Sequence, residues 1–286
     1  MKYRVGKLHP LVLFAALLTA VALASSEINP VLSPASLVFA LLAAAEFGFL
    51  KKSLMLFKVT LPFFIPLIVL NALFSGNGVT VLFNFFDHSV TLEAVMYGAF
   101  SIISLTAAMI WAGCLGEMIG PDETVFLFGR ISPYLALIIS MIIGLIPKML
   151  DRMEEVRILR KINGNDKEKH AVLKDITAVV FQSLEMSLET ASSMRARGYG
   201  VCRPKRLAPY KMRSYDCIAL SVYAVCIALL IVSKASGYYY NVYPILSAPE
   251  MTWQTWMFYF AFAGIMLLPT VNETAQKIIW NKRKPV

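Results

Sequence analysis

The sequence predicts an all-α, polytopic membrane protein with about six transmembrane helices and a cytoplasmic domain of two long amphipathic helices. Three observations predict it. Hydrophobic residues make up 58% of the 286 and charged residues only 16%, against roughly 45–50% and about 25% in an ordinary soluble domain. Several apolar runs approach the ~20 residues that a membrane-crossing helix needs. Lys and Arg, 27 against 18 Asp and Glu, are spread unevenly over the segments between those runs, as the positive-inside rule requires. The same composition argues against a soluble enzyme and against a disordered tail. The formal charge of +9 would by itself suggest nucleic acid; in so apolar a chain it is first a question of topology, and no nucleic-acid partner is expected.

The expected spans are residues 8–24, 31–50, 59–74, 92–116, 216–232 and 253–269. The first and third are short, and the third is interrupted by Pro62 and Pro66. Two further apolar runs, 79–86 and 134–146, are too short to cross comfortably and read as interfacial or protein-buried helices. With six spans and a cytoplasmic N-terminus, the inside segments hold 26 of the 27 basic residues, and only Lys234 lies outside. If 134–146 spanned, the basic stretch 148–213 would move outside and this asymmetry would collapse. The chain therefore divides into N-terminal transmembrane helices 1–4 (residues 1–116), a cytoplasmic domain (117–215), and transmembrane helices 5 and 6 with a basic tail (216–286). The N-terminus also fits a signal peptide, with Lys2, Arg4 and Lys7 before an apolar run that ends in Ala22-Leu23-Ala24. A retained first helix predicts the same topology from there on.

The cytoplasmic insert is the least generic part. After Pro147, Met149, Met153, Val156 and Leu159 or Arg160 recur at helical spacing, with charges around the rest of the wheel. Glu154 and Arg157 stand one turn apart. Ile162-Asn163-Gly164 stops this helix, which covers about 148–163. A second helix runs over about 169–197. Leu173, Ile176, Val180, Leu184, Leu188, Ala191 and Met194 form its apolar stripe, and Arg195 and Arg197 precede a closing Gly198. The plain explanation is a helical hairpin that packs its two stripes together, with the arginines solvated or compensating helix C-terminal dipoles. Against it stands the amount of apolar surface, which exceeds what one hairpin needs and suits a partner helix.

Chemistry-bearing motifs are scarce. There is no G-x-x-x-x-G-K-[ST] loop for ATP and no H-E-x-x-H, and His9, His88 and His170 lie in unrelated segments. Cys114, Cys202, Cys217 and Cys226 form no C-x-x-C pair, so neither a zinc site nor a disulfide framework is expected. The span centres carry no charge, unlike those of ion-coupled carriers. The chain is thus expected to be no enzyme and to hold no cofactor or metal. Tyr238–Tyr240, Tyr243, Trp253 and Trp256 read as an interfacial aromatic belt. Lys205, Arg206, Lys211 and Arg213 read as positive-inside anchors.

The segment Glu189–Tyr199, which contains Met194-Arg195-Ala196-Arg197-Gly198-Tyr199, resembles the second coupling helix of the transmembrane T component of energy-coupling factor (ECF) transporters, the EcfT/CbiQ family. In that family this helix ends in Ala-Arg-Gly. Ile146-Pro147 leading to Gly164 is similar to the first coupling helix, with Ile162-Asn163-Gly164 where a first Ala-Arg-Gly is expected; Arg160 or Lys161 then stands in for its arginine. Leu8-His9-Pro10 and Asn71-Ala72-Leu73-Phe74 resemble the family's opening His/Asp-Pro element and the end of its third span.

The resemblance implies a subunit of an ABC-type importer. Two cytoplasmic ATPase subunits would hydrolyse ATP, and a membrane S component would capture a vitamin or a metal ion such as cobalt. The T component would join them in the plasma membrane, both termini inside. Ala196, Arg197 and Gly198 would dock on one ATPase, and Arg160, Ile162, Asn163 and Gly164 on the other. Ile176, Val180, Leu184, Leu188 and Met194 would face the S component. Two alternatives stay open: a conventional ABC permease that binds substrate itself, and a non-transporting membrane scaffold.

Overall fold

A computed structural model describes residues 9–74, 78–85, 88–163, 171–201, 210, 212, 214–237 and 252–283. The elements in chain order are α1 (Pro10–Ser26), α2 (Leu32–Glu46), α3 (Leu50–Thr60), a short 3-10 turn (Leu61–Phe63) and α4 (Phe64–Phe74). Then come β1 (Val81–Phe85), β2 (His88–Thr91), α5 (Leu92–Met118), α6 (Pro121–Ile131), α7 (Pro133–Ile162), α8 (Ala171–Ala196), α9 (Ser214–Ala235) and α10 (Trp253–Arg283). They fall into two compact units, one of residues 1–120 with 210–286 and the other of residues 121–209.

Five helical stretches among the described residues are long and apolar enough to cross a membrane: Leu50–Ala72, Leu92–Met118, Pro133–Ile162, Ser214–Ala235 and Trp253–Ala275. The chain is therefore a multi-pass, helical membrane protein. The apolar helices α1 and α2 are shorter, 17 and 15 residues. At 1.5 Å per residue they reach about 25 and 22 Å, under the ~30 Å of a hydrocarbon core.

In the first unit α5 is the central post, and α1, α2, α3 and α4 all pack on it. Close approach follows from small residues, the usual currency of helix contacts in lipid. Ala16, Ala20 and Ala24 on α1, Ser33, Ser36, Ala40 and Ala43 on α2, and Ala107 on α5 are all buried. At Gly98 a side chain would come within 3.1 Å of the Ile68 backbone on α4, so the crossing there requires glycine. Trp111, Ile110, Phe258, Phe262, Ile265 and Met266 fill the centre.

Polar contacts tie this unit at several levels. His9 caps α1, its Nδ1 accepting from the Leu11 N–H at 3.4 Å with Pro10 at the first helical position. The His9 backbone N–H donates to Asp216 Oδ1 at 3.1 Å and so joins the start of α1 to the start of α9. Ser104 donates to the Ala24 carbonyl, and Tyr223 donates to the Ala15 carbonyl at 3.2 Å. Lys234, which the charge count leaves outside, pairs with Glu27 at 2.5 Å across the ends of α9 and α1.

Two expectations for short apolar runs are corrected. The run 79–86 is not a helix over its described residues: β1 and β2 form an antiparallel hairpin, with Phe83 opposite Val90 and Phe85 opposite His88. Val79, Thr80, Val81, Phe83 and Phe85 supply the β-branched and aromatic residues that favour a pleated surface. It is a minor departure from an all-helical chain. The run 134–146 is not a separate element either. It is the first half of α7, a continuous helix through Pro147, and in that length it qualifies as a span by composition. No residue of α7 is buried, so the expected protein-buried position is not found in this chain.

Candidate functional site

The second unit presents the two long helices. α7 starts where Ser132 turns extended (φ −149°, ψ 130°) and Pro133 takes the first helical position. Pro147 removes one backbone donor and would ordinarily cost about 3 kcal/mol; fourteen residues on its N-terminal side and fifteen on its C-terminal side keep the helix together. The expected helix of about 148–163 is thus the second half of a 30-residue helix. The short helix α6 before it was not anticipated, although Pro121 followed by Asp122 and Glu123 is a recognisable start.

The helical stripe on α7 is present as expected. Met149, Met153, Val156 and Arg160 are half-buried, whereas Leu159 is exposed, which settles the register in favour of Arg160. The one-turn ion pair on this helix is Arg152 with Glu155 at 2.8 Å, not Glu154 with Arg157.

On α8 the face turned inward differs from the apolar stripe. Asp175 and Val179 are buried, and Gln182, Ser183, Met186 and Met194 are half-buried. Ile176, Val180, Leu184 and Leu188 each follow one of these positions by one or two residues, and one residue turns a helix by about 100°. They are exposed, from 40% at Ile176 to 73% at Leu188. Leu173 and Phe181 are exposed as well. The hairpin therefore does not pack stripe on stripe. It packs a mixed face of α8 on α7 and leaves the apolar stripe uncovered, apart from the half-buried Met194.

What holds the two helices in register is an ion pair missed from the sequence. Arg160 Nη2 lies 3.3 Å from Asp175 Oδ2, and the side chains are only 15% and 6% exposed. Asp175 sits in an ordinary polar slot between Lys174 and Ile176, and one-dimensional spacing says nothing of an opposite helix. Further along, Ile138, Met141, Ile142 and Leu145 of α7 and Met186 and Met194 of α8 line a groove of about 510 Å³ with Lys148 at its edge.

The two helix ends differ. At the end of α8, Gly198 takes φ +81°. Its N–H donates to the Arg195 carbonyl at 2.9 Å, and the Tyr199 N–H donates to the Met194 carbonyl at 3.0 Å. These two bonds define a Schellman C-cap, whose left-handed residue is best served by glycine. Ala196 is the last helical residue. Arg197 occupies the cap, exposed, and makes no ion pair among the described residues. The end of α7 is plainer. Ile162 is the last helical residue and is exposed, and the Asn163 N–H donates to the Leu159 carbonyl at 3.1 Å. Gly164 lies outside the described residues, as do the start of the second helix before Ala171 and the anchors Lys205, Arg206, Lys211 and Arg213.

Among the described residues no three His, Cys, Asp or Glu side chains converge to hold a metal ion. Trp253 and Trp256 are exposed at the start of α10, and Tyr238–Tyr240 and Tyr243 lie outside the described residues. Compared with known proteins, the chain matches no family model and no characterised protein.

Proposed function

We propose that this chain is the transmembrane T component of an ECF-type ABC importer, a subunit of the plasma membrane with both termini in the cytoplasm. It links ATP hydrolysis by two cytoplasmic ATPase subunits to uptake of a vitamin or metal ion by an S component. The chain itself carries out no catalysis. The observation that carries this reading is the end of α8: a cation presented at the cap of a long helix, held there by a glycine-dependent turn. An exposed arginine fixed in this way suits a bidentate pair with a partner carboxylate.

The uncovered stripe of α8 supports the S-component role. Ile176, Val180, Leu184 and Leu188 are exposed, and a row of apolar side chains at helical spacing is what a helix-to-helix interface uses. α7 raises a second reading, because its length and composition would let it span. The charge distribution favours the first: were α7 a span, the basic stretch 148–213 would be moved to the outer side, against the positive-inside rule.

The test is Arg197→Glu. The variant should reach the membrane at normal levels, lose ATPase co-purification and lower substrate uptake at least tenfold. Full uptake with the ATPases still bound would remove Arg197 from its proposed role.

A further inference from the structure

Arg160 cannot serve both ends of the sequence expectation, in which it substitutes for a docking arginine at the first tip. Its guanidinium is within 3.3 Å of Asp175 Oδ2, and both side chains are largely withdrawn from water. The rest of the inward faces are mainly apolar, Met149, Met153 and Val156 on α7 and Val179 and Met186 on α8, with Gln182 and Ser183 half-buried among them and the Ser183 hydroxyl donating to the Val179 carbonyl of its own helix at 2.7 Å. Such surfaces resist separation but resist sliding poorly. A directional, desolvated ion pair fixes register where methionine and valine do not. Giving Arg160 to a partner's carboxylate would strip Asp175 of its counter-ion inside the interface, which is strongly unfavourable.

We infer that Arg160 and Asp175 form an internal strut that positions α8 on α7, and that Arg160 takes no part in docking. The pair stands three residues before Asn163 and four residues into α8. A push at the first tip then passes straight across to α8, and onward to the exposed stripe and to Arg197. The two tips are therefore unequal: the second docks through an exposed arginine, and the first transmits through a committed one. The inference rests on the proposed T-component role for what is transmitted, but the strut itself does not.

The experiment compares Arg160→Ala, Asp175→Ala, the swap Arg160→Asp with Asp175→Arg, and the apolar pair Arg160→Met with Asp175→Leu, in the reconstituted complex. The single variants and the apolar pair should retain the ATPases, yet uptake per ATP hydrolysed should fall at least tenfold. The swap should recover it to within about threefold. The apolar pair separates positioning from folding, since apolar replacement of a buried ion pair leaves stability intact or raised. Full coupling in the apolar pair would overturn the strut, and so would loss of the ATPases in Arg160→Ala as complete as in Arg197→Glu.

Spin labels at Leu150 and Leu184 in the full chain alone supply a second measurement. Their distance distribution should broaden in the single variants and the apolar pair, and narrow again in the swap. An unchanged distribution in all variants would also overturn the strut. This measurement holds whether or not ATPases bind, so failure of the strut and failure of the T-component reading are told apart.

Discussion

Gly198 is the residue on which the tip of α8 turns. At φ +81° with nothing within 4 Å of a would-be side chain, its requirement is one of backbone alone. A left-handed alanine costs about 1 kcal/mol relative to glycine, whereas asparagine visits this region more readily. Gly198→Ala should therefore loosen the last turn of α8 and lower uptake several-fold, and Gly198→Asn should do so less. Hydrogen exchange at the Gly198 and Tyr199 amides checks this directly. Faster exchange in the asparagine variant than in the alanine variant would contradict it. Glycine and its preceding arginine were legible in the sequence because a Schellman cap is local. Arg160 and Asp175 were not, because an ion pair between residues fifteen apart on two helices depends on how those helices rotate.

That rotation is the lesson at the scale of the element. Hydrophobic period alone located α8 and the second half of α7, but it could not say which face of α8 meets α7. The stripe with the clearest apolar period is the one left uncovered, and the inward face carries an aspartate, a glutamine and a serine. Short runs were misread for a related reason: eight to thirteen apolar residues do not distinguish a strand, a buried helix or half of a longer helix. Neighbouring residues decided, as β1 and α7 show.

The uncovered stripe makes a prediction of its own. Leu184→Ser with Leu188→Ser removes exposed apolar surface and should leave the chain's thermal midpoint within about 2 °C, because surface positions seldom exceed ±0.5 kcal/mol. Capture of the S component should drop at least tenfold in co-purification. A large fall in the midpoint with capture intact would place the stripe in the chain's own core instead.

For the whole molecule, the sequence foretold a helical, multi-pass protein from composition, and the count of spans is where length and charge pull apart. Length and composition select α7 and pass over the shorter α1 and α2; the distribution of Lys and Arg requires that 148–213 stay inside. Cysteine labelling decides between them. A single cysteine at Ser193 should react with a membrane-impermeant reagent only after the membrane is opened, and modification in intact cells would overturn the topology. Whether this chain joins ATPases to a substrate-binding membrane subunit is read from what co-purifies with it from its native membrane. Two ATP-hydrolysing subunits and a small membrane protein are expected, the ATPases lost from Arg197→Glu. Recovery of the chain without any nucleotide-binding subunit would contradict it.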